Sequence, residues 1–574
     1  MINMLVLSRM RVELLVSLQP RAWSEVPELT AQVARAAFPK GCLAMNVRDR
    51  LGPLFDDEVF RSAFGVRGRP GISPGQLALV SVLQFAENLT DRQAAHAVRS
   101  RIDWKYLLGL ELSHTGFDFT VLTGFRDRLL AHDLEETVLD MLLGRLTELG
   151  LVVGRGRQRT DSTHVLAAVR SLNRLEFVGE TLRAALEALA AASPEWLGGW
   201  MEPVWRQRYG VRTDAYRLPR AEDERAAQAR QIGDDGYRLL EAVFSPAAPT
   251  WLREIPAVEI LRAVWLQQYH RVGDGDEQTA SLRGKDDLPP SRDRITSPYD
   301  TDSRYGMKRG MGWDGYKVHL SETCDDTAET GRPHLITDVL TTDATVNDAV
   351  VLDQIHNRLR DKDLLPAEHL VDAGYTSAEL LLESQAEHGV AVVGPVRSNT
   401  TRQANGHKDF STEAFEIDWS GKQATCPTGA TSKYWTEGFD SGKRPAIRIR
   451  FATGTCAPCP VRDQCTSSHR YGRQLTIRPQ EQNVLLERVR AKQATEEWKQ
   501  RYATRAGVEG TIHQAVAVTG VRRSRYTSLA KTHLAHIFTA AAVNLIRLDA
   551  WWNGTPLAPT RISYVAGLDL PHAA

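Results

Sequence analysis

Six cysteines among 574 residues, four of them clustered, are too few and too unevenly placed for a disulfide scaffold. That usage points to a reducing compartment, and a cytoplasmic protein is expected. No apolar run reaches membrane-spanning length. The stretch Met1–Gln19 is apolar, but Arg9, Arg11 and Glu13 interrupt it, and it lacks the small-residue cleavage site of a signal peptide. Net charge is missing too: 71 basic residues meet 71 acidic ones, which at first sight argues against a polyanionic partner. A phosphate-cradling glycine loop, a Ser/His/Asp arrangement and a dinucleotide fingerprint do not stand out, which disfavours nucleotide-dependent, acyl-transfer and hydride-transfer chemistry.

With 42% hydrophobic and 25% charged residues the chain is an ordinary soluble globular one, and its length predicts two to four structural units. The zero charge is a cancellation. Residues 441–531 hold 18 lysines and arginines against 6 acids, while residues 214–302 hold 12 against 17. The basic region reads either as a phosphate-binding face or as solvated helix faces.

Residues 1–150 read as helices. Ser73 is a helix cap with Pro74 at the first position and Gln76 closing a capping box, and Leu79, Val82, Leu83 and Ala86 then share a face. Thr90 with Gln93 repeats the box for a helix through Val98, and Thr120 starts a helix carrying Phe125, Arg126, Arg128 and Leu129. These suit either a helix-turn-helix DNA reader or plain packed helices. Asp133–Leu149 is expected as a further helix, stopped by Gly150. Leu151–Val153, a Gly154–Gly156 turn and Gln158–His164 then read as a hairpin. Residues 172–268 return to helical spacing, with Trp196, Trp200, Trp205, Trp251 and Trp265, and Arg271–Pro298 reads as a polar loop. Strands are expected at Gly315–Leu320, His334–Thr341, His369–Asp372 and Val390–Val396, with a helix over Asn347–Arg360. Helix resumes from Pro479 to about Leu548. That order describes a mixed α/β sheet with a helical insertion.

Two sets of side chains carry chemistry. Asp161 and Asp372 follow strand-like runs, and Glu509 lies on a helical one. Three carboxylates gathered from such elements form an all-oxygen site suited to Mg²⁺ or Mn²⁺, and two such ions drive in-line phosphoryl transfer. The plainer reading of an Asp after an apolar run is a turn or helix cap. Asp338, Asp343, Asp348 and Asp353 are competing acids, read as caps and surface charges, and His164 reads as a packed or hydrogen-bonded residue. The second set is Cys426, Cys456, Cys459 and Cys465, with His469 able to replace one of them. Four thiolates would close a tetrahedral, purely structural Zn²⁺ site, and the alternative is free cysteines in a small β-rich insert.

In order along the chain, the segments Asp56–Phe60, Gly68–Pro74, Leu89–Gln93, Asp103–Tyr106, Phe125–Leu129, Tyr299–Asp302, Gly315–Leu320, Asp372–Tyr375 and the run around Glu509 resemble a DDE transposase of bacterial insertion sequences. The likeness is to the group that pairs an N-terminal helical module with a cysteine knuckle. It implies an all-helical DNA-binding domain over 1–150 and an RNase H-like core over 151–400 with its insertion at about 172–298. A Cys-rich insert at 401–478, a helical part of the core at 479–548 and a tail at 549–574 would follow. It implies Asp161, Asp372 and Glu509 as the catalytic triad, holding two Mg²⁺ or Mn²⁺ ions, with a structural Zn²⁺ at the cysteines. Tyr502 and Arg505 fit the signature around the Glu, as phosphate contacts, but its lysine position is Val516. Arg522, Arg523, Arg525 and Lys531 are expected to replace that contact, or else to form a solvated basic helix end. The implied activity is metal-dependent cleavage and strand transfer of double-stranded DNA at terminal inverted repeats, by a dimer or larger assembly at the nucleoid of a bacterial cytoplasm. A DNA-binding descendant without catalysis, and a nuclease of the same fold without strand transfer, are the alternatives.

Overall fold

The computed structural model describes residues 16–20, 23–213, 218–274, 278–308, 310–397, 399 and 401–555. Most of the apolar Met1–Gln19 stretch and of the expected 549–574 tail lies outside them. The chain divides into two units: 1–153 with 161–346 and 508–574, and 154–160 with 347–507.

In the first unit, helices Glu28–Ala37, Leu43–Leu51, Pro74–Ala86, Asp91–Ser100, Ile102–Leu108, Thr120–Ala131 and Thr137–Glu148 come first. Ser73 Oγ accepts from the Gln76 amide at 3.1 Å with Pro74 at the first position, as expected. The box does not close there, because the Gln76 side chain donates to the Leu108 carbonyl instead. Thr90 and Gln93 do form a complete box. The helix expected from Asp133 begins at Thr137, since Asp133 takes a left-handed φ of 53° that ends the preceding helix. The last helix, Leu529–Trp552, is buried on nearly every side from Thr532 to Leu545. Such a helix belongs inside a core. It packs on Pro74–Ala86, with Phe85 and Phe538 ring centroids 5.6 Å apart, and on the strand Ile336–Asp343, where Asn544 bonds both the amide and the carbonyl of Ile336.

That strand pairs antiparallel with Met311–Thr323, which also pairs antiparallel with Arg304–Lys308. From Asp161 onward the strand Arg157–Leu166 lies beside Met311–Thr323. The insertion follows, with helices Arg174–Ala192, Pro194–Trp200, Pro203–Tyr209, Glu222–Phe244 and Pro256–Gln268 around Trp205, Trp265 and Tyr269. The expected loop after 271 is partly a hairpin: Tyr269–Val272 pairs with Thr279–Leu282, anchored by buried Tyr269 and Ala280, and residues 275–277 lie outside the described set.

In the second unit, Arg157–Arg159 pairs parallel with Glu368–Leu370, which pairs parallel with Ala391–Val393. Parallel strands bury both faces and need helical crossovers, supplied by Leu352–Asp361 and Ala378–Glu387. The hairpin expected at Leu151–His164 is therefore absent. Leu151 has no free amide for a strand: Gly150 at φ 70° ends the preceding helix, and the Leu151 amide caps the Leu146 carbonyl. The unit also holds the cysteine-bearing insert, a three-stranded antiparallel sheet of Tyr434–Phe439, Pro445–Arg450 and Gln474–Ile477, and the helices Gln480–Gln493 and Glu496–Ala503. The fold is mixed α/β, and no helix among the described residues is long and apolar enough to cross a membrane.

Candidate active site

Asp161 sits mid-strand rather than after a strand, and is buried at 8% exposure. Its Oδ1 accepts from the Ser162 amide at 2.7 Å. The strand beyond it is held in its own unit by residues 522–524: Arg522 Nε donates to Thr163 Oγ1 at 3.0 Å, the Leu166 amide to the Arg522 carbonyl, and the Ser524 amide to the Leu166 carbonyl. Two residues before it, buried Arg159 donates to the Thr504 carbonyl. The Arg159 guanidinium lies so close to Gly507 that a Cβ there would stand 2.1 Å from its Nη1. Gly507 opens the helix Gly507–Thr519, whose first turn carries exposed Glu509.

That helix is fixed from its far side by a buried ion pair. Glu322, fully buried, accepts from Arg547 Nη1 and Thr511 Oγ1, both at 2.6 Å, and Arg547 Nε donates to Gln514. Tyr502 is half-buried and stacked on Trp498 at 4.7 Å and 14°, and Arg505 is half-buried. Their neighbour Arg501 grips Glu368 with both guanidinium arms, tying the helix Glu496–Ala503 to the strand Glu368–Leu370.

Asp372 follows that strand by two residues and is half-buried. Its Oδ1 accepts from the Gly374 amide at 2.7 Å, the turn geometry that a lone Asp would adopt for local reasons. Asp161 and Glu509 belong to one unit and Asp372 to the other. Of the competing acids, Asp343 is a cap, bonding Thr345 Oγ1 and its amide, but Asp338 is fully buried in its strand and so is no surface charge. Asp348 lies in a single helical turn, Asp348–Val351. His164 packs against Trp313 at 5.6 Å.

A histidine network also lies in the second unit, which composition alone did not suggest. Thr160 Oγ1 meets His369 Nε2 at 2.6 Å, His369 Nδ1 meets His356 Nε2 at 2.9 Å, and the His356 and His388 rings are 5.2 Å apart. His388 Nε2 lies 2.8 Å from Asp353 Oδ1. Burial holds neutral His356 at a pKa of about 2 and His369 at about 3. Asp353, Glu387 and His388 are the only group of three acids, histidines or cysteines among the described residues whose ligand atoms all lie within 4.8 Å of one another.

The basic residues part ways. Arg522 and Arg523 are exposed. Arg525 instead points inward, donating to the Leu89 carbonyl at 2.9 Å and to Asn88 Oδ1 and lying 4.4 Å over Phe85. Lys531 is paired with Asp127 at 2.9 Å. In the helix Thr120–Ala131, Arg126 is buried against Asp91 and Tyr526, and Arg128 lies over Phe64. These cations are struts between helices. Their spacing matched a DNA reader, but linear sequence does not record an acid or a ring brought in from hundreds of residues away.

Cys426, Cys456, Cys459 and Cys465 line one cavity. No three of their sulfurs fall mutually within 4.8 Å, so the set is gathered but not closed. Buried Arg473 donates to the Cys465 carbonyl at 2.9 Å, and its amide reaches Cys456 Sγ at 3.4 Å. Burial pushes the Cys465 thiol up, with Arg473 opposing. Burial also pushes up Cys426, yet hydrogen bonds from Thr428 and Ala430 hold it below its usual range. Exposed His469 is not among the residues lining this cavity.

Comparison with known families supplies the class. Residues 37–128 match the family Transposase domain (DUF772), and residues 425–549 match the family Transposase DDE domain, and both indicate a transposase. Comparison with curated proteins and with solved structures gives no match. The two matches together support, more particularly, a DDE transposase of insertion-sequence type. The second match takes in the four cysteines, Tyr502, Arg505 and Glu509, whereas Asp161 and Asp372 lie outside both matches.

Proposed function

We propose that this transposase binds the terminal inverted repeats of its element, cuts the DNA there and joins the freed 3′-hydroxyl to target DNA, using Asp161, Asp372 and Glu509 on an RNase H-like core. One observation carries the assignment. Arg159 and Leu370 are paired in parallel register; Asp161 stands two residues on within the first strand, and Asp372 two residues beyond the end of the second. Arg159 and Gly507 are likewise packed together, and each precedes its acid by two residues.

The donor set is all carboxylate, the chemistry of a hard-cation site, and these three residues would hold Mg²⁺ or Mn²⁺. Bound ions of that kind supply activation of the attacking oxygen and relief of charge on the leaving one. The chain's own part is positional. Glu322 and Arg547 fix the helix that presents Glu509, and Arg501 fixes the strand leading to Asp372. Arg505 and Tyr502, beside the Glu, would contact DNA phosphates, as would exposed Arg522 and Arg523. The four cysteines line one cavity and would hold a structural Zn²⁺ once their sulfurs close on it, with buried Arg473 offsetting the charge of the thiolates. Holding two ends at once calls for a dimer or larger assembly on double-stranded DNA.

The test is a supercoiled donor plasmid bearing the inverted repeats, incubated with purified protein and Mg²⁺. Cleaved and joined products are expected, and Asp372→Asn should lower both by more than ~100-fold. An Asp372→Asn protein as active as the wild type would remove Asp372 from the site, and binding of the ends without any cleavage would favour a silent descendant.

A further inference from the structure

The three-stranded sheet of the cysteine-bearing insert has two unlike faces. Tyr434 is in register with Arg450 and Arg450 with Gln474, and one pleat along Thr436 meets Arg448 and Arg448 meets Thr476. Opposed residues of antiparallel strands share a face, so these six side chains stand together. Ile447, Ile449, Leu475 and Ile477 turn the other way into an apolar core with Phe415 and Phe451. On the first face Tyr434, Thr436, Arg450, Gln474 and Thr476 are exposed, and none of the six is a carboxylate. Solubility would ask only for polar side chains there; this face adds an aromatic ring and two guanidinium groups.

Its end opens onto a cleft of about 570 Å³ walled by Lys433, Tyr434, Arg450, Thr453, Tyr471 and Gln474. The two tyrosines are 53% and 60% exposed. Lys433 Nζ lies 5.4 Å over the Tyr434 ring and the Arg470 guanidinium 5.3 Å over that of Tyr471. Tyr471 is held at the rim because its neighbour Gly472 lies against the strand: a Cβ there would stand 2.4 Å from the Phe451 carbonyl oxygen.

We propose that this cleft receives an unpaired DNA strand, its bases stacking on Tyr434 and Tyr471 and its phosphates meeting Lys433, Arg450 and Arg470. Charge decides the occupant first. The described lining holds cations and no acid, so it attracts a polyanion and repels a basic peptide. Ring faces decide it second: exposed tyrosines accept the flat face of a free base, whereas the bases of a duplex are already stacked on one another. The proposal rests on the transposase reading for the presence of DNA, but it uses neither the three carboxylates nor the cysteine sulfurs.

The full-length protein is titrated with a fluorescein-labelled oligo-dT of about 15 nucleotides and with a duplex of equal length. Tyr434→Ala and Tyr471→Ala should each weaken single-strand binding about tenfold, with little effect on the duplex, and Tyr→Phe at either position should retain it. Alanine variants that bind the single strand as tightly as the wild type overturn the proposal. So does an equal loss on single strand and duplex, which would reduce the cleft to a phosphate contact. Repeating the titration with Asp372→Asn and no added Mg²⁺ separates this inference from the catalytic one. Tyrosine-dependent binding that persists there stands even if the cleavage assignment fails, and cleavage-competent protein with normally binding alanine variants sinks the cleft alone.

Discussion

His356 and His369 fold only as neutral rings, and this sets how the second unit responds to acid. An unfolded histidine titrates near ~6.5, whereas burial depresses these two to about 2 and about 3. Between those limits the unfolded chain binds more protons than the folded one, so their contribution is intact above pH ~6.5 and is lost progressively as pH falls below it. The urea midpoint should therefore drop between pH 7 and pH 5, and His356→Gln should flatten that drop. An identical slope in the variant would place the acid sensitivity elsewhere. Nothing in the sequence announced the pair: His356 and His369 are thirteen residues apart, and only the parallel pairing of Glu368–Leu370 with Arg157–Arg159 sets His369 beside Thr160.

Among elements, the helix Gly507–Thr519 is tied down more firmly than its modest burial suggests. Glu322 and Arg547 reach it from the sheet and from the last helix. Removing one partner leaves a buried charge alone, at a cost of ~3–5 kcal/mol. Arg547→Met should lower the urea midpoint accordingly and reduce cleavage with it, while a variant of unchanged stability would show the pair to be idle. The insert offers a second case. Chelation, or Cys456→Ser, should release about one Zn²⁺ per chain, measured by elemental analysis, and lower its thermal midpoint; protein purified with no zinc would refute the metal site. Elements with a local cause were legible in sequence, such as the Thr90–Gln93 capping box and the strand expected at Gly315–Leu320, which runs Met311–Thr323. The failures lay where a distant partner decided. Leu151 was needed by a helix cap, Tyr269–Val272 paired with Thr279–Leu282 on an insertion core, and Arg525 and Lys531 found partners near Phe85 and at Asp127. In the sequence the three acids are proposed on family order alone, since a lone Asp after an apolar run looks like a cap, and Asp372 in fact makes an Asx turn.

Over the whole molecule, neutrality conceals a basic stretch at 441–531, part of which is engaged internally and part exposed, as at Arg450, Arg470, Arg522 and Arg523. Affinity for inverted-repeat DNA should then fall steeply with salt despite the zero net charge, with a log–log slope of about −0.9 per phosphate contacted. Binding by gel shift that is indifferent to salt between low and physiological strength would rule out a phosphate-dominated interface. The bond from Arg522 to Thr163 spans 359 residues of chain. During synthesis, then, the stretch around Asp161 leaves the ribosome long before the segment that closes over it exists, whereas the tryptophan-rich insertion behind it already has its own core to bury. The acid-bearing strand is thus among the first parts made and among the last completed. A chain truncated before residue 522 would lose both the segment that pairs with Leu166 and the core helix Leu529–Trp552, baring the apolar surfaces that helix covers, and aggregation would be its expected fate.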